Sequence, residues 1–87
     1  MKLIIAIVKD ADDSQVIAQL VANNFRVTRM ASTGGFLRRG NVTLMIGTEE
    51  ERVQQAVELI TNACQVPEPG QHRATIFVVN ATRFEQT

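Results

Sequence analysis

The sequence holds one cysteine and one histidine. A single cysteine forms no internal disulfide, which makes a cytoplasmic protein the default expectation. Nucleophilic catalysis needs an activated nucleophile beside an oriented base. Here His72 sits in a loop bounded by Pro and Gly, and Cys64 falls on the apolar side of a helical pattern. A surface histidine and a buried structural cysteine are therefore expected. No Cys or His pair exists for zinc, and Asp10, Asp12 and Asp13 lack the glycine and closing glutamate of a calcium loop. We expect no enzyme, no catalytic residue, no metal and no cofactor. Long apolar runs are lacking too. Leu3 to Val8 is far too short to span a bilayer and has no signal-peptide cleavage pattern, so no membrane partner is expected.

Net charge is also missing, since nine Lys and Arg balance nine Asp and Glu. That balance disfavours coating polymeric nucleic acid or an anionic membrane through bulk charge. The charges are nevertheless segregated. Asp10, Asp12 and Asp13 form one acidic cluster and Glu49, Glu50 and Glu51 another, with no acid between Ser14 and Thr48. That acid-free stretch carries Arg26, Arg29, Arg38 and Arg39, and guanidinium groups offer a planar fork to phosphates and base edges.

Eighty-seven residues with 45% apolar composition describe a single domain, 1–87. A core this small is marginal alone, and oligomerisation would remedy that. Lys2 to Val8 is a near-continuous apolar run, which predicts a strand buried on both faces. Asp10 is the expected N-cap of a first helix, with Asp12 and Asp13 in its first turn; Val16, Ile17, Leu20 and Val21 form its apolar stripe and Asn23-Asn24 ends it. Phe25 to Ser32 and Asn41 to Gly47 read as strands around a loop marked by Gly34, Gly35 and Gly40. Thr48 to Glu51 fits a capping box. Val53, Ala56, Val57, Ile60 and Cys64 then follow at helical spacing. Val66 to His72 breaks the chain before a last strand, Ala74 to Val79. The order β-α-β-β-α-β predicts an α+β, ferredoxin-like fold, with four antiparallel strands carrying two helices on one face. Strands apolar on both sides would leave the other face uncovered, which predicts a homo-oligomer with sheets packed inward.

Gly35 to Gly40 has the first spacing of a Walker A motif, but Asn41-Val42 stands where Lys-Ser/Thr must reach phosphate and magnesium, so ATP hydrolysis is not supported. The loop instead carries Phe36 and Leu37 beside two arginines, groups able to cover a base or to fold onto the protein's own core. Asn24, Arg26 and Thr28 recur at every second residue, so their side chains are expected on one face of a strand. Asn41 begins the partner strand. Two amides, a guanidinium and a hydroxyl are thereby expected to converge, an arrangement suited to a purine nucleotide, because an Asn amide both donates to and accepts from an adenine edge.

These residues carry a resemblance. Asn24-Phe25-Arg26-Val27-Thr28, Thr33 to Asn41 (T-G-G-F-L-R-R-G-N) and Met45-Ile46-Gly47 resemble the PII-like cyclic di-AMP receptor family. The opening Met1 to Val8 and the closing Ala74 to Val79, with Phe84-Glu85-Gln86, resemble it as well. The resemblance implies a PII-like cytoplasmic homotrimer of ferredoxin-like subunits, cyclic di-AMP sites at the clefts between subunits, and no catalysis. It implies that Asn24, Arg26, Thr28 and Asn41 bind an adenine and its ribose-phosphate, that Gly35, Phe36 and Leu37 close over the ligand, that Gly47 gives it room, and that Phe77 and Gln86 complete the pocket.

One feature departs from the family. Its long B-loop, between the second helix and last strand, is here the short connector Gln65 to Arg73. In the family, loop reorganisation near the site transmits the signal, so this departure bears on output, and through lost contacts also on affinity and nucleotide choice. The alternatives are a PII-like module for another adenine nucleotide, ATP or ADP, or one that meets only a protein target. No downstream protein partner can be named from the sequence.

Overall fold

The structure is a computed structural model that describes residues 1–30, 40–66, 69–70 and 72–81. Its elements run β1 (Lys2–Lys9), α1 (Asp13–Ala22), β2 (Arg26–Met30), β3 (Asn41–Thr48), a 3-10 turn (Glu50–Arg52), α2 (Val53–Ala63) and β4 (Ala74–Asn80). The strands form one sheet in the order β2-β3-β1-β4, and each neighbouring pair is antiparallel. This is the expected ferredoxin-like α+β arrangement, with β1 at the centre. The ends of the elements differ slightly from expectation. β1 gains Lys9, β2 begins at Arg26, and Ala31 and Ser32 lie outside the described residues.

Successive strand side chains point to opposite sides of a sheet. In β1, Ile4, Ala6 and Val8 are 0%, 0% and 1% exposed, while Leu3, Ile5 and Ile7 on the opposite side are only half-buried. Val42, Leu44 and Ile46 of β3 join the first set beneath Val16 and Leu20 of α1 and Ala56 and Ile60 of α2. Full burial of each large aliphatic side chain in this set contributes about 1.5–3 kcal/mol.

Two helix starts depart from the sequence reading. The N-cap of α1 is Asp12, not Asp10, and its carboxylate makes no capping bond. Asp10 still belongs to the sheet end, where its amide donates to the Gly40 carbonyl at 2.8 Å, and the chain turns only afterwards, with the Asp12 amide donating to Lys9 at 2.9 Å. The Asp12 carboxylate accepts instead from the Gln65 amide at 3.3 Å, tying the α2–β4 connector to this turn. The capping box at Thr48 does not form. Thr48 stays in β3 opposite Lys2, 7% exposed on the helix side, and makes no hydrogen bond to the Glu51 amide. The chain enters α2 through the 3-10 turn, capped by Glu49 without a side-chain bond. Of the expected apolar stripe of α2, Ala56, Ile60 and Cys64 are buried and Val53 packs against the core, while Val57 is only half-buried.

The end of α1 is built around Asn24, which has φ +67°. Its amide donates to Val21 at 3.0 Å and the Phe25 amide to Leu20 at 2.9 Å. This is a Schellman closure, in which asparagine tolerates a left-handed backbone and the apolar pair Phe25 and Leu20 seals the turn.

Arg29 leaves the sheet on the helix side and donates to the Asp13 carboxylate at 2.8 Å. That hydrogen bond, with the guanidinium charge, holds the Asp13 carboxyl below its ordinary value. A lowered folded pKa means that the pair's contribution is complete above the ordinary carboxylate range and is lost as pH falls through the lowered value. Asp13→Asn is expected to cost about 0.5–1 kcal/mol in urea unfolding at pH 7. The gap from the parent protein should close in strongly acidic buffer, and a gap that persisted there would remove the ion pair as its source.

Candidate ligand-binding face

The sheet face away from the helices is built in rows by strand register. One row runs Arg26, Gly47, Leu3 and Val79 across the four strands, the next Thr28, Met45, Ile5 and Phe77, and a third Met30, Thr43, Ile7 and Thr75. The β1 and β4 side is apolar, with Phe77 52% and Val79 43% exposed. The β2 side is mixed, with Arg26 and Thr28 polar and Met30 an exposed apolar residue. No strand residue in these rows is acidic, and the exposed Arg26 makes no hydrogen bond or ion pair among the described residues. An anion placed there meets a free guanidinium without a competing carboxylate.

Gly47 lies beside Arg26 at the second position of that row. A Cβ added to it would meet no heavy atom within 4 Å, and its backbone is not in the left-handed region. Neither packing nor conformation within the subunit therefore calls for glycine, and glycine weakens a strand interior. What its bare backbone offers is close approach to something lying on the sheet.

The other sequence-derived site residues fall in separate places. Asn24 is exposed, two residues before Arg26, but its left-handed backbone takes it out of the strand alternation expected of it. Asn41 begins β3, and six residues at about 3.4 Å each put it roughly 20 Å from Gly47. The expected convergence of Asn41 with Asn24 and Arg26 is thus not met within one subunit. The reason is antiparallel pairing: the first residues of β3 lie beside the last residues of β2, while Arg26 pairs near the far end, at Gly47. Phe77 shares a row with Thr28 but is separated from it by β3 and β1, about 14 Å at ordinary strand spacing. The chain places Arg26 and Thr28 beside Gly47 at one end of this face, with Asn24 just before them in sequence, and leaves Asn41 and Phe77 apart. Gly35, Phe36, Leu37 and Gln86 lie outside the described residues. Arg29, nominated with the acid-free segment, is sent by the pleat to the helix side.

A cavity of about 580 Å³ opens on the opposite side of the molecule, between the helices, lined by Gln15, Gln19, Leu59, Asn62, Ala63, Cys64 and Gln65. None of the described candidate residues lines it. The Cys64 thiol is pushed up from its ordinary pKa, first by burial and then by the charge of Asp12, which suits a structural rather than a reactive thiol. Among the described residues no group of three His, Cys, Asp or Glu could hold a metal ion, and no helix is long and apolar enough to cross a membrane. Arg52 was not singled out by sequence. Its main contact, the Asn23 carbonyl, lies 29 positions away and has no side-chain signature.

Two comparisons with known proteins bear on this face. A family model for the cyclic-di-AMP receptor matches residues 1–73, a span that includes Asn24, Arg26, Thr28, Asn41 and Gly47 and stops short of β4. The chain is also similar to a solved structure, that of a functionally unknown protein from Pediococcus pentosaceus ATCC 25745. The two share 39% identity over 99% of this chain and 96% of that one, with a TM-score of 0.77.

If Gly47 is kept for what lies on the sheet rather than for the fold, Gly47→Val should fold with stability equal to or slightly above the parent, by a few tenths of a kcal/mol up to ~1. Arg26→Ala should stay within about 0.5 kcal/mol. Urea unfolding followed by circular dichroism measures both, and a loss of about 2 kcal/mol or more for either would assign that residue to the fold.

Proposed function

Because the chain belongs to the cyclic-di-AMP receptor family, which is PII-like, we propose that it is a cytoplasmic signalling protein that binds cyclic di-AMP in clefts between the subunits of a homotrimer and catalyses no reaction. The observation that carries this reading is the open backbone of Gly47 beside Arg26, which has no side-chain partner among the described residues, in strand rows that hold no acidic residue. In this reading the bare strand lets a flat ligand lie close, and Arg26 meets a phosphate or a purine nitrogen. The Asn24 amide reads an adenine edge, and the Thr28 hydroxyl supplies a further polar contact. A charge-assisted hydrogen bond of this kind contributes about 1.5–3 kcal/mol.

The distances within one subunit favour a site completed by a neighbour. Asn41 and Phe77 are too far from Arg26 to close a pocket around one small ligand in the same chain. We assign them, with Gly35, Phe36, Leu37 and Gln86, to the walls of a shared cleft. The half-buried Leu3, Ile5 and Ile7, with the exposed Phe77 and Val79, give the trimer an apolar surface to bury. A ligand seated between subunits prefers the loop arrangement that completes its cleft, and signalling is that shift of population toward a downstream protein target.

Titration calorimetry on the purified protein, with light scattering to read the assembly, tests the proposal. We expect a trimer that takes up to one cyclic di-AMP per subunit, and a loss of about tenfold or more in affinity for Arg26→Ala, which corresponds to ~1.4 kcal/mol. No heat at millimolar ligand would overturn the proposal. A parallel thermal-shift panel includes ATP and ADP, because a ligand that prefers the folded state raises the melting temperature. Stabilisation by ATP and not by cyclic di-AMP would reassign the site to another adenine nucleotide.

A further inference from the structure

Arg52 closes the 3-10 turn before α2 and is not one of the residues in the rows that carry Arg26 and Gly47. Its guanidinium donates to the Asn23 carbonyl at 2.6 Å, lies 4.0 Å from the centroid of the Phe25 ring, and reaches Gln55 at 3.3 Å. Two of these contacts flank Asn24. The Asn23 carbonyl and the Asn24 amide belong to the same peptide unit, so that unit is pinned at both ends: the carbonyl by Arg52 and the amide by Val21 at 3.0 Å. The following peptide unit is held by the Phe25 amide on Leu20, and the Phe25 ring is itself 4% exposed. With both adjoining peptide planes fixed, the direction in which the Asn24 side chain leaves the backbone is fixed as well.

Chemistry favours arginine at this position. The carbonyls that end α1 have no helical partner and carry the negative end of its dipole, so a cation there is stabilised. A planar guanidinium can donate to a carbonyl while lying over an aromatic ring, which the ammonium of lysine, a point charge without a flat face, cannot match.

We infer that Arg52 is a positioning residue for the ligand-binding segment: it touches no ligand and acts by holding the Asn23–Asn24 peptide, from which Asn24 reaches the site. This rests on the reading of Asn24 as a contact to cyclic di-AMP. A double-mutant cycle tests it, pairing Arg52→Gln with Asn24→Gly, since glycine keeps the left-handed turn and removes only the amide. In the parent background Arg52→Gln should weaken cyclic di-AMP binding by about tenfold, and in the Asn24→Gly background by less than about twofold. Equal losses in both backgrounds, or none in either, would overturn the inference. Amide hydrogen exchange supplies a readout without ligand: exchange at Asn24 and Phe25 should accelerate by about tenfold in Arg52→Gln at little change in global stability. Unchanged exchange there would also overturn it. If the parent protein binds no cyclic di-AMP, the binding reading fails, while the exchange measurement still decides whether Arg52 holds the segment. Should Arg52→Gln fold poorly, Arg52→Lys keeps the charge without the fork and is expected to show the same changes in weaker form.

Discussion

The pleat of the central strand is the constraint on which the rest of this structure depends. A strand sends alternate residues to opposite sides, and β1 is apolar at nearly every position. Ile4, Ala6 and Val8 therefore form the floor of the core under both helices, and Leu3, Ile5 and Ile7 are carried to the other side whether or not anything covers them. A domain of this size gains its core from the first set. The second set, extended by Phe77 and Val79, is apolar surface that the single chain leaves half-buried or exposed. The core and the proposed assembly surface thus lie on opposite sides of the same strand.

The same pleat separates the arginines of the acid-free stretch. Arg26, opposite Gly47, is delivered to the outer face, and Arg29, opposite Leu44, to the helix side, where Asp13 takes it up. Acids collect at the helix starts, so among the described residues the strand rows of the outer face keep their cation without a carboxylate beside it. Neutral composition and a locally cationic face are compatible because the sheet sorts charges by parity. At the head of β2 the Schellman turn carries Asn24, and Arg52, from the 3-10 turn before α2, reaches back to the Asn23 carbonyl of that turn.

Much of this was legible in the sequence, because apolar parity and turn residues are local signals. The element order, the stripe Ala56, Ile60 and Cys64 and the end of α1 at Asn23-Asn24 all follow from them. The helix starts were less legible. A capping motif at Thr48 has the right residues, but pairing with Lys2 keeps Thr48 in β3, and tertiary pairing overrides a local motif worth about 1 kcal/mol. At the other helix, Asp10 stays with the sheet end through Gly40, which moves the cap two residues on. Register was the larger obstacle for the site. Asn41 follows the loop closely in sequence, yet the antiparallel ladder places it at the opposite end from Arg26. Arg52 left no trace in the sequence, because its role depends on a backbone carbonyl of a distant turn.

The central claim is that the end of the outer face bearing Asn24, Arg26, Thr28 and Gly47 receives cyclic di-AMP. Its most direct test is a cyclic di-AMP titration of isotopically labelled protein followed residue by residue by nuclear magnetic resonance. The account predicts that the shifts centre on the amides of residues 24–28 and 45–47 and leave Gln15, Gln19 and Asn62, around the cavity between the helices, unmoved. Shifts centred on that cavity, with residues 24–28 and 45–47 silent, would contradict it.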